Sequence, residues 1–245
     1  MGNDLIDQAV FFCLLCGHIV IALGIQLDLF QRLTRVLAEH PVHLIADIDH
    51  VLGMDLDIRG LAGKAAALLA ETGSAQRSDC LLDRACFQKL RQLAEESRCV
   101  YLQTYVRAMI DAANLRALVR AERMHMDPGF LQEVLFEGGS VTPDAIRAGA
   151  SEPAALFRST ALREAAELGE AAVKGGSLTD FEKACDNAVL RTAAGARRVP
   201  FGVEVALGYL IAKEAEWTAV RIVMAGRLAG LSADAIRERL RDTYV

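Results

Sequence analysis

The chain has 245 residues, enough for one large helical domain or two smaller units with real cores. Apolar residues make up 53% and aromatic residues only 6%, with 5 prolines, which excludes global disorder and disfavours a β-sandwich. The net charge of -5 is mild and far from the basic stripe that nucleic-acid binding requires, so no nucleic-acid partner is expected.

The first feature along the chain is an apolar run from Ala9 to Leu27 without Asp, Glu, Lys or Arg. It has about the length of a membrane-spanning helix. It lacks the basic start and small-residue cleavage site of a signal peptide, and His18 and two glycines interrupt it. Two readings stay open, a buried or interface helix and a membrane span. Cys13 and Cys16 have CxxC spacing inside this run, but no second pair lies near, so core thiols are expected rather than a zinc or redox site.

Asp28 to Val51 reads as an amphipathic segment broken at Pro41. Within it, His40, His43, Asp47 and His50 are spaced three, four and three, which would share one helical face. Those residue types ligate transition metals, yet Pro41 interrupts the set and a polar outer face is the simpler expectation. Asp47/Asp49 and Asp55/Asp57 fall in a solvated stretch, so an acid pair for hydrolysis is not expected.

The rest predicts helix after helix. Leu61 to Glu71 closes at Thr72-Gly73-Ser74, a short helix runs from Asp83 to Ala94, and a long one from Val100 to Met124. Asp127-Pro128 reads as a cap and first turn, and Gly138-Gly139 as the stop of that short helix. Residues 149–160 read as a looser connection. One helix ends at Gly175-Gly176, Ser177 caps the next, and Pro200 ends that one. Gly202 to Leu228 predicts a last long helix with Leu207, Ile211, Ala215 and Ile222 on one stripe, followed by a short helix capped by Ser232.

An internal repeat joins the middle to the end. At an offset of 105 residues, Val100 meets Val205, Leu102 meets Leu207, Asp111 meets Glu216 and Arg116 meets Arg221. The match continues through Asp127/Ser232, Leu131/Ile236, Glu133/Glu238 and Leu135/Leu240. The unit is therefore a long helix, a capped turn and a short helix, used twice. Asp111, Arg116 and Glu133 recur as Glu216, Arg221 and Glu238, and each arginine is expected to cross the turn to the carboxylate of its short helix. Independent surface charges are the alternative.

Chemistry-bearing motifs are absent from the sequence. There is no GxxxxGK[ST] loop and no GxSxG, and Lys174-Gly175-Gly176-Ser177 carries its lysine on the wrong side of the glycines, as a helix end. No cofactor, no metal, no catalytic residue and no small-molecule substrate is expected.

Two blocks carry a family resemblance. Pro200-Phe-Gly-Val-Glu204, Gly208 to Glu216, Val220 to Arg227, Leu231-Ser232 and Ile236 to Leu240 resemble the C-terminal end of the C subunit of archaeal and bacterial V-type ATPases, the counterpart of the d subunit of vacuolar ATPases. Leu82-Asp83-Arg84, Phe87, Tyr105-Val106, Asp111, Asn114-Leu115-Arg116 and Arg120-Ala121, with Glu137-Gly138-Gly139, are similar to that family's middle unit. The resemblance covers residues 80–245. It implies an all-α fold of repeated helical-bundle units, generally three in a funnel. It also implies a non-catalytic subunit, peripheral on the cytoplasmic face of the membrane, that links the central stalk to the membrane rotor ring while protons or sodium ions move. Residues 80–150 are then a middle repeat and 151–245 a C-terminal one, while residues 1–79 form a divergent or incomplete first unit. Asp111, Asn114, Arg116, Glu133, Glu216, Arg221, Arg227 and Glu238 are the expected structural or interaction residues. A membrane-anchored helical scaffold spanning through residues 9–27 is the alternative, and a helical enzyme using the His40 set a weaker third.

Overall fold

Helix is the only regular structure in the computed structural model, which describes residues 58–127 and 129–243; no strand occurs among them. The apolar run 9–27, the Cys13/Cys16 pair, the segment 28–51 with its His40 set, and the Asp47, Asp49, Asp55 and Asp57 carboxylates lie outside the described residues. Two compact units divide the chain, Met1–Lys89 and Leu90–Val245.

In the first unit, helix α1 (Ile58–Thr72) stops at Gly73, whose φ of +65° suits a residue without Cβ. Ser74 then caps helix α2 (Ala75–Glu96), its hydroxyl accepting from the Arg77 amide at 3.3 Å. A hydrogen bond of 2.8 Å from the Ser78 hydroxyl to the Ala65 carbonyl ties the two helices together in a buried position. The short helix expected from Asp83 to Ala94 is thus the C-terminal part of a 22-residue one.

The second unit is organised around α3 (Val100–Arg123), which is buried on nearly every side from Leu102 to Ala121. Short helices α4 (Phe130–Val134), α5 (Pro143–Ala148) and α6 (Pro153–Leu156) follow, so the loose connection expected at 149–160 contains one helical turn. Asp127 turns the chain differently from a helix cap. Its carboxylate accepts from the Gly129 amide at 2.7 Å, an Asx turn, and the helix begins after it. That helix ends at Val134, four residues ahead of the Gly138-Gly139 stop.

Helices α7 (Arg163–Val173) and α8 (Leu178–Ala193) form a second pair, joined through Gly175 at φ +102° and capped by Ser177 onto the Asp180 amide. Both pack on α3. Close approach of α7 depends on Gly169, where a Cβ would lie 2.8 Å from the Val119 side chain and 3.0 Å from Phe181. Phe181 at this contact is fully buried, as are Phe157 and Leu162 of the same unit. A 3-10 turn (Ala194–Arg198) leads to α9 (Val203–Leu228) and then α10 (Ala233–Arg239), capped by Ser232 as expected. Leu207 and Ile211 of the expected stripe are buried; Ala215 and Ile222 are half-buried.

Candidate interaction site

Polar residues inside α3 are unusual, because a buried polar group costs free energy unless it is hydrogen-bonded. Asp111, Asn114 and Arg116 are all buried. Asp111 spends its carboxylate on the chain that follows α4, accepting from the Ser140 amide at 2.7 Å and the Val141 amide at 3.3 Å. Burial raises its pKa, while these hydrogen bonds pull it back down. Asn114 grips the same segment in both directions. Its amide donates to the Phe136 carbonyl and its carbonyl oxygen accepts from the Phe136 amide, each at 2.8 Å. The two side chains fix residues 136–141 against α3.

Arg116 faces the other way. Its Nε donates to Glu182 at 2.8 Å and its Nη2 to Asp186, both on α8. Arg120, one turn on, reaches Glu182 at 2.6 Å, and Arg241 from beyond α10 reaches Asp186 at 2.6 Å. Glu182 and Asp186 are one turn apart, so a single face of α8 presents both to the arginines. Burial pushes the Cys185 thiol beneath them up to about 12, against the pull of Arg116, so it stays protonated at neutral pH. Arg123 completes the row by donating to the Ala172 and Gly176 carbonyls at the end of α7, at 3.0 and 2.8 Å.

The expected partner of Arg116 is therefore corrected. Its carboxylates come from α8, not from Glu133, which is exposed on α4. A helix packed flat along α3 meets the arginine directly, whereas the turn carries Glu133 to the surface. The second copy differs again. Arg221 is half-buried and makes no ion pair with Glu238, whose side chain is exposed, as is that of Arg227. Glu216 pairs with Lys213 at 2.7 Å on the surface of α9. Of the eight residues expected from sequence, the structure brings Asp111, Asn114 and Arg116 together on one helix and leaves Glu133, Glu216, Arg221, Arg227 and Glu238 at or near the surface. Glu182 and Asp186 are not among the residues expected from sequence, although i, i+4 carboxylates on an amphipathic helix are a readable signal; Arg120 carries the family resemblance, but its pairing with α8, like that of Arg241, is not expected from sequence.

Among the described residues, no helix is long and apolar enough to cross a membrane, and no group of His, Cys, Asp or Glu is arranged to hold a metal. The model of the ATP synthase (C/AC39) subunit family matches residues 44–239. The C subunit of a V-type sodium ATPase from Enterococcus hirae is 26% identical over 172 residues, which is 69% of this chain and 52% of that protein. The chain thus spans about half the length of that curated relative. No solved structure matches it.

Proposed function

Given that the chain belongs to the ATP synthase (C/AC39) subunit family, we propose that it is the non-catalytic piece coupling the central stalk of a V-type ATPase or ATP synthase to the membrane rotor ring. The observation that supports this most is the tying of α3 on two sides at once. Asp111 and Asn114 bind it to the segment after α4, and Arg116, Arg120 and Arg123 bind it to α7 and α8. Such a body resists twist, because shear between its helices would break several charge-assisted hydrogen bonds together. A torque-passing part needs that stiffness and needs no phosphate loop or nucleophile.

Residues 80–150 and 151–245 serve in this reading as successive copies of one unit, with residues 1–79 a divergent first unit. The ions moved by the ring are protons or sodium, and the chain sits at the cytoplasmic face of the membrane. Its two ends differ in charge, acidic over residues 1–60 and net basic over residues 190–245, which suits two docking surfaces of opposite character. The test is a pull-down of purified chain with the central-stalk subunits, the ring, and the peripheral stalk as control. Recovery with the first two is expected; recovery with the peripheral stalk alone overturns the reading.

A further inference from the structure

The chain that follows the short helix is seated differently in the two copies of the unit. After α4, Leu135 and Phe136 are buried, and Asp111 and Asn114 of α3 hold residues 136–141 by their backbone. At the offset of 105 residues, the positions matching Leu135 and Phe136 are Leu240 and Arg241, and those matching Asp111 and Asn114 are Glu216 and Ala219. Ala219 has no side-chain donor or acceptor, and Glu216 pairs with Lys213 on the surface. The clamp of the first copy is thus not repeated on α9.

The segment after α10 crosses to α8 instead. Lys183 Nζ donates to the Glu238 carbonyl at 3.2 Å, and Arg241 Nε donates to Asp186 at 2.6 Å. The Asp242 amide donates to the Asn187 side-chain oxygen at 2.9 Å, and Arg191 lies 3.8 Å from the Asp242 carboxylate. Lys183, Asn187 and Arg191 step by four along one stripe of α8, so residues 238–242 run beside it as a strap.

What the strap holds is the α9–α10 hairpin. These two helices pack on each other, and a Cβ on Gly226 would lie 2.7 Å from Ile236. Leu207 and Ile211 bury the start of α9. Past Ile211, the described residues that are buried in α9 and α10 are Gly226 and Ile236, and they face each other. The grip of the strap is polar and open to water: Arg241 and Asp186 are 25% and 26% exposed, Arg191 and Asp242 51% and 49%. Such pairs are weak singly, and parting them uncovers no large apolar side chain, as lifting Phe136 would.

We propose that residues 238–242 are a releasable strap. Closed, they hold the α9–α10 hairpin on α8; released, they let it move as one piece about the connection 194–202 while α3, α7 and α8 stay packed. Trp217, Met224 and Leu228 are exposed on that hairpin, so the strap sets the direction in which α9 presents them. The device belongs to this chain alone, does not rest on the coupling role, and is tested without any motor subunit.

Hydrogen exchange of the full chain, read by mass spectrometry, tests it with Arg241→Ala and Arg241→Lys. A hairpin off the body is marginal, as isolated helices are in water, so its amides exchange when the strap opens. Arg241→Ala should speed exchange in α10 and the second half of α9 by about threefold or more, and leave α3, α7 and α8 unchanged. Arg241→Lys, which keeps a charge against Asp186, should fall between that variant and wild type. Unchanged exchange in α9 and α10, equal acceleration in all five helices, or a lysine variant as fast as the alanine one would each overturn the proposal.

Discussion

Arg116 and Arg221 hold the same place in the two copies of one helical unit, yet of the two only Arg116 is paired with carboxylates among the described residues. Nearly all of the Arg116 side chain is enclosed, and Glu182 and Asp186 are largely covered. Replacing Arg116 with Met should therefore cost about 3 kcal/mol, at the lower end for breaking a buried pair, because Arg120 and Arg241 still hold the two carboxylates. Lysine should restore little of it, since one ammonium cannot reach both acids as the guanidinium fork does. Urea unfolding midpoints measure both variants.

The clamp on residues 136–141 predicts a coupled pair of substitutions. A Cβ on Gly139 would stand 2.3 Å from Asp111 Oδ1, so Gly139→Ala must push the carboxylate off its two amides. Asp111→Ala loses the same hydrogen bonds from the other side. Each should destabilise by about 1–3 kcal/mol, and the double variant by clearly less than the sum. Additive losses would mean that the glycine and the aspartate act separately.

Glu214 gives a pH dependence. Burial raises its carboxyl to about 7, Arg221 opposing, so the folded chain holds this proton more tightly than the unfolded chain does. Stability should fall as pH rises from about 4.5 to about 7 and then level off. Glu214→Gln removes that contribution. The variant should match the parent at pH 4 and exceed it at pH 8 by about 1 kcal/mol, a figure reduced for the partial exposure of the side chain. Thermal melts across that range decide it, and a parent that keeps pace at pH 8 would contradict it.

Ile211 is 4% exposed on the inner face of α9. Ile211→Asp should cost several kcal/mol, a large part of a domain's stability, because the carboxylate has no partner there. Trp217→Ala, on the outer face of the same helix, should leave the melting of the chain within about 0.5 kcal/mol.

Sequence reading found what periodicity and caps can signal. The long helices at 100 and 203, the Ser177 and Ser232 caps and the buried Ile211 all follow from local pattern. It missed what depends on which helix lies against which. Nothing near Arg116 in the chain points to Glu182, 66 residues away. The start of α2 was missed because Ala75 to Ser78 looks like turn sequence until Ser74 caps it. Asp127 failed as a cap because its side chain closes a tighter turn two residues on.

The coupling role itself is tested most directly in inverted membrane vesicles that carry the whole motor, stripped of this chain and then resupplied with it. ATP hydrolysis should persist in the stripped vesicles while ATP-driven ion uptake is lost, and adding the purified chain should restore uptake. Full ion uptake in vesicles without the chain would contradict the account.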